Sequence, residues 1–202
     1  MKIAIISHVL DFSGVPIAQI RLSKAMADRG HRVDLYFLGR GTRYPSIDNI
    51  SGRRVSISNY GSTLRAVTYL AATLTKGNYS YVFVAEDHLG ILITLLATLL
   101  FVKSRIIVSS RVQPYDAQSI YPNASLFSKS GITRLLYRLL SSKIFLMTAV
   151  SNDLASTYRK LFSWSTHVGL YNIISDSFAP SHLTEFSPQK NRLRDPKFTV
   201  VA

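Results

Sequence analysis

Short apolar runs alternate with longer amphipathic stretches about six times along this chain. The runs at 3–7, 33–38, 53–58, 81–85, 105–109 and 144–150 have strand length, and the first reads Ile3-Ala4-Ile5-Ile6-Ser7. Near-continuous apolar strands are the mark of a parallel sheet buried on both faces. The stretches at 16–29, 62–76, 87–102, 132–142 and 151–162 read as helices, with Ile17, Ile20, Ala25 and Met26 at helical spacing in the first. Pro16 suits a first turn, Gly30 a C-terminal cap, and Ser151 and Asp87 N-terminal caps. A short strand is expected at 167–171.

Strands that alternate with helices predict an α/β protein: a Rossmann-like, mostly parallel sheet with helices on both faces. Ligands of such sheets bind beyond the carboxyl ends of the strands. The segments that follow Ser7, Ala85 and Ser109 are therefore the ones to search for chemistry. The segment 110–129, with Pro114 and Pro122, is expected to be a long loop, which in compact domains often carries function. Residues 173–197 read as a polar linker, and 198–202 opens a new apolar run.

The chain has 202 residues, of which 47% are hydrophobic and 17% charged, enough apolar material for a buried core. Its net charge of +13 draws it to anions: phosphorylated ligands, an acidic membrane surface or nucleic acid. No zinc finger or aromatic-and-basic RNA signature is present, so no nucleic-acid partner is expected. With no cysteine there are neither disulfides nor thiolate metal sites. The five histidines (8, 31, 88, 167 and 182) show no metal-ligand spacing, and no metal is expected. The apolar run 89–102 falls short of the roughly 20 residues that a membrane span needs. Met1-Lys2-Ile3-Ala4-Ile5-Ile6 is too short and turns polar too soon for a signal peptide, so cytoplasmic residence is expected.

Four constellations carry candidate chemistry. In the first loop, Ser13-Gly14 precedes a helix N-terminus, where backbone N–H groups and the helix dipole can meet an anion; an ordinary turn is the plainer account. A dinucleotide fingerprint would need more glycines. Glu86-Asp87-His88 ends a strand, where Asp87 or His88 can orient or deprotonate a hydroxyl; alternatively Asp87 is a plain cap. Arg111 leaves a strand at the ligand edge, suited to bidentate phosphate contact, or paired with Asp116 or Asp87. Arg134 and Arg138, four apart on one helix, share a face with repulsion of about 0.2–0.5 kcal/mol unless an anion lies between them. Leu135, Leu136, Leu139 and Leu140 would pack the opposite face. A solvated basic face is the plainer account.

Several segments together resemble family-4 glycosyltransferases of the GT-B fold. Ser13-Gly14-Val15 with Ala25-Met26-Ala27-Asp28-Arg29-Gly30-His31-Arg32-Val33 is similar to that family's opening "G-G-V … L-A-x-x-L-x-x-R-G-H-x-V". Ala149-Val150-Ser151-Asn152-Asp153-Leu154 resembles its "A-V-S-x-x-L" step, and Tyr171-Asn172-Ile173-Ile174 its "Y-N-P-[IV]" crossover. Phe198-Thr199-Val200-Val201-Ala202 looks like the first strand of the second domain. Val108-Ser109-Ser110-Arg111-Val112-Gln113-Pro114 resembles the "S-E-R-x-x-P" variant of bacterial surface-polysaccharide transferases, with Ser110 in place of the glutamate and Ser13 in place of the first glycine.

The resemblance implies an acceptor-side domain over 1–172, an interdomain linker over 173–197, and the start of a donor-binding domain at 198–202. It implies transfer of a hexose from a UDP- or GDP-type nucleotide-sugar, with no cofactor, to a lipid-linked saccharide acceptor in polysaccharide biosynthesis. The enzyme would sit peripherally on the inner, anionic face of the cell membrane. Ser13 and Gly14 would meet the donor phosphate; Arg111, Tyr115, Arg134 and Arg138 would bind acceptor. The catalytic residues would lie in the second domain, with Asp87 and His88 as the candidates here, and this chain alone would be inactive. The alternative is a non-catalytic half-GT-B module that binds a phosphorylated lipid or a partner protein.

Overall fold

Seven parallel strands form one sheet, in the order β3-β2-β1-β4-β5-β6-β7. They are β1 (Lys2–Ser7), β2 (Arg32–Phe37), β3 (Val55–Asn59), β4 (Tyr81–Ala85), β5 (Arg105–Ser110), β6 (Leu146–Ala149) and β7 (Val168–Gly169). Five helices alternate with them: α1 (Gly14–Asp28), α2 (Thr63–Lys76), α3 (Asp87–Leu99), α4 (Lys129–Leu140) and α5 (Asn152–Leu161). The computed structural model describes residues 1–9, 13–39, 55–59, 63–113 and 127–172. Tyr115, the linker at 173–197 and the strand at 198–202 lie outside the described residues.

The sheet is buried on both faces, as its continuous apolar strands require. Side chains alternate along a strand. Ile3 and Ile5 therefore join Val33, Leu35, Phe37 and Ile20 of α1 in one core. Ala4 and Ile6 turn the other way, into a larger core with Leu70 of α2, Ile93 of α3, Tyr137 of α4 and Leu154 of α5. Ile5, Ile6, Leu35 and Phe37 have no exposed surface, each contributing about 1.5–3 kcal/mol through burial. Asp34, a charge within β2, is tolerated because Lys2 Nζ lies 3.3 Å from its Oδ2 and the Tyr79 hydroxyl donates to the same oxygen at 2.6 Å.

Element ends follow local chemistry. Gly30 takes φ 88°, as a helix-ending glycine does after α1. Ser151 Oγ accepts from the Leu154 N–H at 3.1 Å and caps α5, and Ser128 Oγ caps α4 through the Gly131 N–H. Gly90 lets α3 lie on β5: a Cβ there would stand 2.4 Å from Val108 Cγ1.

Two expectations need correcting. Asp87 is not a cap; Glu86 holds the N-cap position, makes no side-chain cap bond, and Asp87 is the first helical residue. Nor does α4 pack through all four leucines. Leu140 is buried and Leu136 partly so, but Leu135 and Leu139 are exposed, in line with Ile132. The reason is Tyr137, a fully buried side chain packed against Trp164 and His167. Seating that ring turns Leu135 and Leu139 outward.

Candidate functional site

The chain order places a switch point between β1 and β4: from there, successive strands run outward in opposite directions. The crevice at the carboxyl ends of these two strands is where open α/β sheets take ligands. His8 leaves β1 there, and Glu86, Asp87 and His88 leave β4. Arg111 leaves β5 one strand further on.

Ser13 and Gly14 stand at the start of α1. Ser13 occupies the N-cap position in extended conformation and makes no side-chain cap bond. A Cβ built on Gly14 would meet nothing within 4 Å. Among the described residues no packing demands glycine there, and they leave the space open for another group to approach the backbone.

Glu86, Asp87 and His88 are consecutive but face two ways. The Asp87 carboxyl is buried: Ser110 Oγ donates to Oδ1 and Tyr158 Oη to Oδ2, each at 2.5 Å. The buried Tyr137 hydroxyl lies beside this carboxyl without reaching hydrogen-bond geometry. Burial raises the Asp87 pKa, with the Ser110 and Tyr158 bonds opposing it. Asp87 thus ties α3, β5 and α5 together beneath the edge, away from any acceptor. Glu86 and His88 turn outward; His88 Nε2 lies 3.2 Å from Glu86 Oε2, and the His88 side chain is 53% exposed. His8 meets the His88 ring edge-to-face, with centroids 5.9 Å apart.

Ser110 also bonds His167 Nε2 at 2.8 Å, and His167 Nδ1 bonds Ser165 Oγ at 2.6 Å. Since the Ser110 proton goes to Asp87, Nε2 must be the donating nitrogen and Nδ1 accepts from Ser165. His167 is fully buried, and burial, followed by the charge of Arg159, pushes its pKa down to about 4. Arg159 Nη1 donates to the His167 carbonyl. This is a structural hub rather than a nucleophile relay: the serine lies between acid and imidazole, and none of the three is exposed.

Arg111 does not pair with Asp87, and Asp116 lies outside the described residues. Its Nη1 donates to Asn172 Oδ1 at 2.5 Å, and its buried Nε has no partner among the described residues. Burial lowers its pKa to about 10, against the nearby charge of Glu86, so it stays cationic at neutral pH. A half-buried guanidinium with an unused donor at the ligand edge suits an anion. Asn172, which follows β7, holds it in place.

Arg134 is half-buried and Arg138 exposed on α4. Beside them run the exposed Ile132, Leu135 and Leu139, with Phe127 just ahead of the helix. Leu99, Phe101 and Lys103 are also exposed at the end of α3, which packs on α4. Among the described residues no helix is long and apolar enough to cross a membrane. A cavity of about 470 Å³ beneath α2, lined by Lys2, Asp34, Tyr69, Lys76 and Tyr79, opens toward the amino edge and shares no residue with this site.

Sequence reasoning missed His8 as a neighbour of Glu86 and His88, and His167 as a partner of Ser110. The adjacency of β1 with β4 makes the first grouping, and that of β5 with β6 and β7 the second.

No protein-family model matches the chain, and no curated protein does. Solved structures do resemble it. HepE of Anabaena, in complex with UDP and glucose, superposes with a TM-score of 0.60 at 14% identity, over 85% of this chain and 44% of that one. UGT2 of Phytolacca americana, complexed with UDP-2fluoro-glucose and pterostilbene, gives 0.59 at 8% identity, over 86% and 54%. The lipopolysaccharide outer core galactosyltransferase WaaB gives 0.52 at 13% identity, over 87% and 46%. The likeness is one of fold: the chain has the Rossmann-like α/β architecture of one half of a GT-B glycosyltransferase. It spans about half the length of these neighbours.

Proposed function

We propose that this chain is the acceptor-side domain of a family-4 type glycosyltransferase. The whole protein would move a hexose from a UDP- or GDP-activated donor to a lipid-linked saccharide at the inner membrane face. The observation that carries this reading is the switch-point crevice. Gly14, His88 and Arg111, singled out from sequence, belong to the segments at its rim, and the fold is shared with chains solved with UDP and UDP-glucose.

Each residue has a role in this reading. The open backbone at Gly14 lets a donor phosphate approach the positive end of α1. Arg111, held by Asn172, and the outward-facing His88 line the acceptor pocket, together with Tyr115. Asp87 supports the edge from beneath. Arg134 and Arg138 meet the acceptor pyrophosphate or anionic headgroups. The apolar row Ile132, Leu135 and Leu139 beside them supports an interfacial placement, since a helix with basic and apolar faces lies well at a headgroup boundary.

The test uses the full-length protein with nucleotide-sugar donors and anionic phospholipid vesicles. Each surface arginine is worth about 1 kcal/mol near such a membrane, so Arg134→Ala with Arg138→Ala should weaken vesicle binding about 30-fold. Transfer of labelled sugar into the lipid fraction should fall with it. If the double variant keeps both vesicle binding and turnover, α4 is not the acceptor helix.

A further inference from the structure

β1 and β4 are hydrogen-bonded neighbours, so the residues that leave their carboxyl ends meet. His8 and His88 each offer an imidazole nitrogen and Glu86 a carboxylate oxygen, and these three atoms all lie within 4.8 Å of one another. Metal–nitrogen and metal–oxygen bonds of about 2.0–2.2 Å at tetrahedral angles separate ligand atoms by about 3.4 Å. The 3.2 Å between His88 Nε2 and Glu86 Oε2 already matches that spacing. Closing the remaining gap to His8 takes a shift of no more than about 1.5 Å, within reach of a side-chain rotation.

We propose that His8, Glu86 and His88 bind a divalent transition ion of borderline softness (zinc, cobalt or nickel) at the carboxyl edge of the sheet. Two imidazoles and one carboxylate favour these ions over magnesium and calcium, which prefer all-oxygen sites. Three protein ligands leave at least one coordination position for water or another oxygen, the pattern of an open rather than a closed site. His88 is more than half exposed, so that position is reachable from the crevice. The Arg111 guanidinium, whose charge is felt by Glu86, opposes a cation here. Glu86 is the carboxylate within the set that offsets it. Glu86 itself holds φ 81°, a conformation strained for a non-glycine residue, which places its carboxylate beside His88. Ion binding does not depend on the transferase reading, because it is measured without any sugar.

The experiment is a titration of the purified chain with Co2+, followed by the visible absorption of the bound ion and then by its displacement with Zn2+. One saturable equivalent is expected. His8→Ala, His88→Ala and Glu86→Gln should each weaken it by at least about tenfold, while His31→Ala, remote from the crevice, should leave it unchanged. His88→Gln, which keeps the side-chain volume of an exposed residue, guards against a variant that loses its fold, with thermal unfolding followed in parallel. No saturable band, or a band that survives His8→Ala or His88→Ala at full affinity, would overturn the proposal and leave His88 and Glu86 as a simple hydrogen-bonded pair. Loss of sugar transfer with Co2+ binding intact would count against the transferase reading alone.

Discussion

His167 has no exposed surface and sits between the hydroxyls of Ser110 and Ser165, with Arg159 on its carbonyl. Its pKa falls from 6.5 to about 4, chiefly by burial. Above pH 6.5 the imidazole is neutral in both the folded and the unfolded chain. Below it, the unfolded chain takes up a proton that the folded one refuses, so stability present at neutral pH is lost as the pH falls toward 4. The full window spans about 3 kcal/mol, and about 2 kcal/mol of it lies between about pH 7 and about pH 4.5. Asp87 acts with the opposite sign. Its raised pKa makes the folded state bind a proton before the unfolded state, so acidification toward the ordinary carboxylate range favours folding.

His167→Gln keeps hydrogen-bonding capacity but cannot titrate. Urea unfolding of both proteins at the two pH values gives four free energies. The variant should be the less stable at neutral pH, and the gap should shrink by about 2 kcal/mol in acid. The exposed histidines are common to both proteins and cancel in the comparison, and a glutamine amide that keeps the bond to Ser110 leaves the setting of Asp87 in place. A gap of the same size at both pH values would refute the buried neutral imidazole.

Two further changes test the packing that holds the edge in place. Gly90→Ala puts a Cβ 2.4 Å from Val108 Cγ1 and 2.8 Å from its Cγ2, on a strand residue with no room to yield; the overpacking cost of about 1–3 kcal/mol should exceed the roughly 1 kcal/mol gained in helix propensity, and a higher urea midpoint would contradict this. Ser151→Ala removes the acceptor for the Leu154 N–H and should cost about 1 kcal/mol by the same assay, with Ser151→Asp restoring most of it.

The sheet was legible because its strands carry unbroken apolar runs, and such runs admit few other homes. β4 at Tyr81–Ala85 lies where the sequence puts it. α4 was legible as a helix but not in its rotation: four leucines define a stripe by periodicity, yet one buried tyrosine decides which of them face inward. The position of Arg111 at the ligand edge was legible because it directly follows a continuous apolar strand that ends at Ser110. His8 was not, since the 77 positions between it and Glu86 carry no sign that their strands are adjacent. His167 gave no signal at all. Its role comes from Ser110, which sits where the resembled motif has a glutamate; a hydroxyl there passes one hydrogen bond to Asp87 and receives another from the imidazole.

The turn that leaves β4 shows why one tripeptide can serve both stability and chemistry. With Glu86 at φ 81° and Asp87 as the first residue of α3, the chain turns from strand into helix while Asp87 drops into the core and Glu86 and His88 stay at the crevice. The strain is sustainable only because Asp87 is held from below by Ser110 and Tyr158, two hydrogen bonds to a buried carboxylate that anchor the next residue in the chain. Loosening that anchor would free Glu86 to relax to negative φ and carry its carboxylate away from His88. The buried network and the exposed pair are therefore one device, and the geometry of the crevice depends on residues that never face it.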